Sequence, residues 1–223
     1  MPGIGAGFGA TYFPNNVLGA PNGNANPATP NFDEHDLLSL GDGGWIVLRL
    51  LAHKIVDGPG ADLAVFENPV QPAGQPTQSF AETAIVSVSN DGVNWSTFPF
   101  NFIPPGPSGS LLDKANYVGF AGVNPTLSSP TNGISPIDPL VSGGDFFDLA
   151  QVGLTEARYV KIQDTGTTGP TQTMDVDGDI VDDPGNHFTF GDVGSAGFDL
   201  DAIAAIHSEA ISADADKDWV LYE

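Results

Sequence analysis

Nearly all the chemistry open to this sequence lies in its carboxylates. Asp199 and Asp201 stand two apart in GFDLD, so in an extended segment both side chains share one face. Glu67 and Asn68 place two more oxygen-bearing side chains directly after the apolar run LAVF. Calcium takes about six to eight oxygen ligands from carboxylates, amides and backbone carbonyls. Glu67, Asn68, Asp199 and Asp201 are therefore a candidate calcium set, with Glu82 and Asp62 as nearby candidates. The competing reading has Asp199 capping a turn and Asp201 bonding backbone at the start of a strand.

A second acidic group lies in DVDGDIVDD at 175–183. Asp175, Asp177 and Asp179 carry the first, third and fifth positions of an EF-hand loop. Ile180 then stands where the sharp turn needs Gly, and Asn186 where a bidentate Glu is needed, so an EF-hand is not expected. A different calcium loop stays open, because closely spaced carboxylates repel unless a cation or solvent screens them. The plain alternative is a solvated acidic loop.

Tyr12, Asn15 and Asn16 in YFPNN are candidate ligand-binding residues, an aromatic ring beside amides being the usual way to hold a sugar. Asn also favours turns for its own backbone reasons. Catalytic constellations are not recognisable. His35, His53, His187 and His207 are scattered, and Ser108 in GPSGS lacks the strand–turn–helix context of a nucleophile elbow. No spacing singles out an acid–base pair of carboxylates for glycoside hydrolysis.

The wider composition agrees. The chain has 223 residues, with 28 Asp plus Glu against 6 Lys plus Arg, a formal charge of −22. That balance argues against phosphate-backbone binding. There is no Cys for a disulfide or a thiolate metal site. No apolar run is long enough to span a bilayer. Asp far outnumbers Glu, and Asp favours turns where Glu favours helices. With 28 Gly and 19 Pro, the chain is built of turns.

The elements that must position these residues read as strands. Trp45–Leu51, Leu63–Phe66, Thr83–Ser89, Arg158–Asp164, Ala202–Ile206 and Trp219–Tyr222 are short apolar or alternating runs between turn residues. Val86 and Val88 share one face, as do Val160 and Ile162, and Trp45 and Trp95 read as core. Phe146–Val152 could form one or two helical turns behind Asp145. Residues 101–144 and 165–197 lack strand periodicity and read as long connections. The expected fold is all-β, a jelly-roll β-sandwich of residues 1–223 as one domain. Its core motifs span about 36–206, a terminal segment covers 207–223, and at most one or two short helices interrupt it.

VSVSNDGVNW (86–95) and ARYVKIQD (157–164) resemble neighbouring core strands of discoidin-like, galactose-binding-like domains. DGPGADLAVFEN, SFAETAIVSVS, GGDFFDLAQVGL and GFDLDAIAAI together resemble a bacterial cell-surface family over about residues 12–206. The resemblance implies a galactose-binding-like sandwich at the cell surface or outside the cell, although Met1–Ala10 carries no secretory leader. It also implies a calcium where the last strand meets an early loop. The expected function is a non-catalytic, calcium-stabilised module binding glycan or another surface component. A structural subunit capable of self-assembly is the alternative, and a glycan-active enzyme the third reading. Nucleic acid and membrane insertion are not expected.

Overall fold

The computed structural model describes residues 1–166, 171–187 and 196–211. Its strands in chain order are β1 (Leu38–Ser39), β2 (Trp45–Arg49), β3 (His53–Val56), β4 (Leu63–Phe66), β5 (Ala84–Ser89), β6 (Ser96–Thr97) and β7 (Asn101–Phe102). There follow β8 (Tyr117–Val118), β9 (Asp145–Phe147), β10 (Glu156–Ala157), β11 (Tyr159–Asp164), β12 (Asp199–Leu200), β13 (Ala202–Ala205) and β14 (Ser208–Ala210). The chain forms an all-β sandwich, and among the described residues its helices are short turns. Among the described residues, no helix is long and apolar enough to cross a membrane.

One sheet has the order β2-β11-β5-β6, antiparallel throughout. Its alternation sets its register. Val160 lies opposite Leu48 and Val88, and Ile162 opposite Ile46 and Val86. A slip of one residue would turn these side chains to the wrong face. The paired motifs VSVS and RYVKIQD are thus adjacent strands of one sheet. The other large element is β13-β4-β9, and β10-β3-β14 forms a third sheet.

Both layers feed one core. Val86, Val88, Val160 and Ile162 from the first sheet meet Leu63, Val65 and Phe147 from the second, with Ile55, Leu149, Phe198 and Leu200. Each such side chain gains about 1.5–3 kcal/mol on full burial. Strand β4 is buried on both faces, which explains why it reads as a continuous apolar run. Leu63 and Val65 join the main core, while Ala64 and Phe66 pack with Ala202 in a smaller cluster on the other side.

Several expectations need correction. Phe146–Val152 is not one helix: β9 takes its start, and a 3₁₀ turn over Leu149–Val152 is capped by Asp148, not Asp145. Asp145 is a strand residue whose carboxylate serves elsewhere. The stretch 101–144 is not simply loop, because β7 pairs with β8 and brings Phe102 and Tyr117 together. These pack with Ala81, Phe120, Val123 and Val181 in a satellite cluster. Two-residue strands are too short to show a period, which is why the sequence hid them. Trp45 and Trp95 are half-buried, and Lys161 lies over the Trp45 ring at 5.1 Å. Beyond the expected strands, His53–Val56 and Ser208–Ala210 also pair. Trp219–Tyr222 lies outside the described residues, as do 167–170 and 188–195 within the long 165–197 stretch.

Candidate metal centre

Glu67 is the residue that β4 delivers into the interior. The strand ends at Phe66, whose carbonyl accepts the Asp201 N–H at 3.0 Å, and the Glu67 carbonyl accepts the Thr126 hydroxyl at 2.6 Å. Its backbone is therefore fixed on both sides. The side chain is 1% exposed, and neither carboxylate oxygen has a hydrogen-bond partner. Burial drives its carboxyl well above the ordinary range, and the negative charges of Glu82, Asp199 and Asp145 add to the shift. The Asn68 backbone N–H opposes it from beyond hydrogen-bonding geometry.

Asp199 comes from β12, which pairs with β1 so that Ser39 lies opposite it. It is 7% exposed, and its Oδ1 has no partner. Burial pushes its carboxyl up to about 7, with the Ser39 hydroxyl opposing. Glu82 is half-buried in the lead-in to β5. Burial raises it well above the ordinary range, and Asp199, Asp183 and Asp164 raise it further. Two glycines let the chain close around Glu82. Gly122 has φ +82°, and a Cβ there would fall 1.9 Å from the Glu82 carbonyl oxygen. A Cβ on Gly185 would meet the Glu82 Cγ at 2.6 Å.

The outer carboxylates differ because backbone donors already satisfy them. Asp145 accepts from the Val123 N–H at 2.9 Å and from the Asn124 side-chain amide at 2.7 Å. Asp183 accepts from the Thr83 N–H and hydroxyl, both at 2.8 Å. Asp164 accepts from the Phe198 N–H at 3.1 Å. Lys54 pairs with Glu156 and Glu209, Lys114 donates to Gln71, and Arg49 lies over Tyr159.

The expected four-ligand set divides. The Asp199 charge helps raise Glu67, whereas Asp201 and Asn68 belong to another network. The Asn22 N–H donates to both Asp201 oxygens, and the Asn22 amide donates to Asp36 at 3.0 Å. The Asn31 amide donates to Asp36 at 2.9 Å, and the Asn68 amide donates to the Asn31 carbonyl at 2.8 Å. Alternation fails between Asp199 and Asp201 because the chain changes partner there. Leu200 still pairs with β1, while Ala202 already pairs with β4. The competing sequence reading, in which Asp201 bonds backbone, describes Asp201 well.

The 175–183 group forms a turn. Asp175 Oδ1 accepts the Asp177 and Asp179 N–H groups at 3.0 and 2.9 Å, and Oδ2 accepts the Phe102 N–H at 2.9 Å. Asp175 is buried, which would raise the carboxyl, but these N–H groups with that of Gly178 hold it below the ordinary value. Asp177 and Asp179 are exposed.

Among the described residues, Asp57, Asp62 and Asp148 are the acids that each offer an oxygen within 4.8 Å of the others. Asp62 is fully used. Oδ1 accepts the Gly58 N–H at 2.8 Å and lies 2.8 Å from His207 Nδ1, while Oδ2 accepts the Leu149 N–H at 2.8 Å. Asp148 caps Ala150 at 2.9 Å.

Of the candidate ligand-binding residues, Asn16 is structural. It is 6% exposed, and its amide donates to the Leu37 and Gly9 carbonyls at 2.6 and 2.9 Å. Tyr12 packs against the His35 ring with centroids 3.9 Å apart, and Asn15 beside it is exposed.

No family model matches the chain, and neither a curated protein nor a solved structure matches it.

Proposed function

We propose that this chain is a non-catalytic binding module of the cell surface or extracellular space, stabilised by calcium and engaging glycan. The observation that carries the reading is the Glu67 carboxylate, buried with two unpartnered oxygens beside Asp199. An unpaired buried charge costs several kcal/mol, and a bound cation removes that cost. The donors are all oxygen, which fits calcium and disfavours metals that prefer nitrogen or sulfur. Bound there, the ion supplies a crosslink. The adjacency of β5 and β11 supports the galactose-binding-like resemblance, and with it an extracellular setting. Tyr12, backed by His35 and flanked by exposed Asn15, supports a sugar-facing rim.

The test combines retention on an immobilised glycan panel with thermal melting, in calcium and in chelator at constant ionic strength. Calcium at about 100 times its dissociation constant adds about 2.7 kcal/mol. Retention should need calcium and the midpoint should rise. An unchanged midpoint would remove calcium, and no retention on any glycan would remove the partner class.

Self-assembly is favoured by one other observation. Ile137, Leu140 and Val141 lie close in sequence and are 50%, 91% and 46% exposed. Clustered exposed apolar residues mark contact surfaces. Concentration-dependent polymers in light scattering, lost in Leu140→Ser, would support this second reading.

A further inference from the structure

The N-terminal segment runs along β1 and the start of β2 as a strap of backbone bonds. The Gly3 N–H donates to the Leu40 carbonyl and the Asp42 N–H to the Ile4 carbonyl, both at 2.8 Å. The Ser39 N–H donates to the Phe8 carbonyl at 3.1 Å, and the Trp45 N–H to the Met1 carbonyl at 2.9 Å. Gly9 lies so close that a Cβ there would fall 1.8 Å from the Leu37 carbonyl oxygen. Strap and strands together line a cavity of about 360 Å³. It stays open because the strap presents Ala6, Gly7 and Ala10, none carrying more than a methyl group. Leu40 and Ile46 in its lining are buried members of the main core, whereas Phe13 is 49% exposed. The hollow therefore runs from the core to the surface.

Small-molecule sites are mostly apolar hollows of about 300–1,000 Å³, with a few polar groups that fix orientation. Among the described residues, the lining offers two polar side chains, the Trp45 indole and the Ser39 hydroxyl. The hydroxyl is already donating to the Ala196 carbonyl at 2.9 Å. A sugar would find few partners for its hydroxyls there, whereas a hydrocarbon needs none. One cation stands at the Trp45 wall. Lys161 lies opposite Val47 on β11, and its Nζ sits 5.1 Å from the centroid of the Trp45 ring. Among the described residues no carboxylate forms an ion pair with it, in a chain of 28 acids and 6 basic residues. An ammonium without a fixed counterion beside an apolar hollow suits an anionic head on an apolar body. We propose that this cavity binds a small free amphiphile, a short hydrocarbon body carrying one carboxylate. The body packs against Phe13, Leu40 and Ile46, and the carboxylate turns to Lys161. The acidity of the whole chain is screened beyond about 8 Å at physiological salt, so pairing at contact range sets the preference. The site goes beyond the calcium and glycan reading above and does not depend on it.

The experiment titrates the protein with sodium octanoate at about 0.15 M salt and follows the methyl NMR signals of Ala6, Ala10, Leu40 and Ile46. Octanol and octyltrimethylammonium serve as probes of the head group. Octanoate should shift these methyls saturably and bind about threefold or more tightly than octyltrimethylammonium. Lys161→Ala should erase that preference while the methyls still respond. Ala10→Phe fills the hollow and should abolish the response with the melting midpoint kept. If Ala10→Phe does not fold, Ala10→Leu is a smaller filling and should still weaken binding. Lining methyls indifferent to octanoate overturn the proposal, as does a response undiminished in the folded Ala10 variants. Octanoate bound no better than the cationic probe, or a preference that survives Lys161→Ala, overturns the carboxylate assignment.

Discussion

The backbone N–H of Asn22 donates to both carboxylate oxygens of Asp201, at 3.1 and 3.0 Å, across 179 residues of sequence. Asn22 also holds Asp36 through its side chain, so one residue joins the early loop to the last strands. Burial pushes the Asp201 carboxyl up to about 7, with the Asn22 N–H opposing and Asp36 adding. The bond is a clasp between chain segments.

Asp201→Ala should therefore cost about 1–3 kcal/mol of stability, the penalty for stripping a partly buried donor of its acceptor. Denaturant unfolding measures it. Calcium affinity should stay at the wild-type value. A loss of affinity equal to that of Asp199→Asn would mean that the two networks are one site.

Asp62 makes a comparable clasp with no metal. Its carboxylate joins the Gly58 and Leu149 N–H groups and the His207 ring, at 0% exposure. Asp62→Ala should destabilise by about 1–3 kcal/mol or more, because two backbone donors lose their acceptor. Calcium should still raise the melting midpoint of the variant by the same increment. If that increment vanishes, the Asp57–Asp62–Asp148 group is the calcium site.

The 175–183 turn should tolerate loss of its exposed charges. Asp177→Asn and Asp179→Asn should shift stability by less than about 0.5 kcal/mol. Asp175→Ala should lower the melting midpoint, since three backbone N–H groups converge on that carboxylate. Calorimetric stoichiometry for calcium should be unchanged in all three. A stoichiometry lowered by one in the Asp177 or Asp179 variant would restore a metal to this loop.

Sequence patterning makes the large strands legible and leaves the connections obscure. LAVF reads as a buried strand because β4 has apolar neighbours on both faces. Glu67 and Asp199 are legible as buried acids because each follows directly on an apolar residue. Glu82 carries a fainter signal: one of only 6 Glu in the chain, it stands between Ala81 and Thr83 just before a strand. The Asp199 charge acts on it from a segment distant in sequence, which no spacing encodes. Asp201 misleads because alternation assumes one continuous strand, and the chain changes partners there. Asp175 misleads because an Asp can satisfy itself on nearby N–H groups as readily as on a cation.

Tyr12 and Asn16 separate the binding surface from the fold. Tyr12→Ala should abolish calcium-dependent glycan retention and leave the melting midpoint nearly unchanged. Asn16→Ala removes a buried donor from the Leu37 and Gly9 carbonyls, and should cost about 1–3 kcal/mol. Frontal affinity chromatography and melting distinguish the two. Retention equal to wild type in Tyr12→Ala would place any glycan site elsewhere.

The most direct measurement is a high-resolution crystal structure grown with calcium, inspected at the Glu67 side chain. A cation peak should lie about 2.3–2.6 Å from the oxygens of Glu67. Glu67 oxygens bonded only to water or protein donors, with no cation peak beside them, would contradict the account.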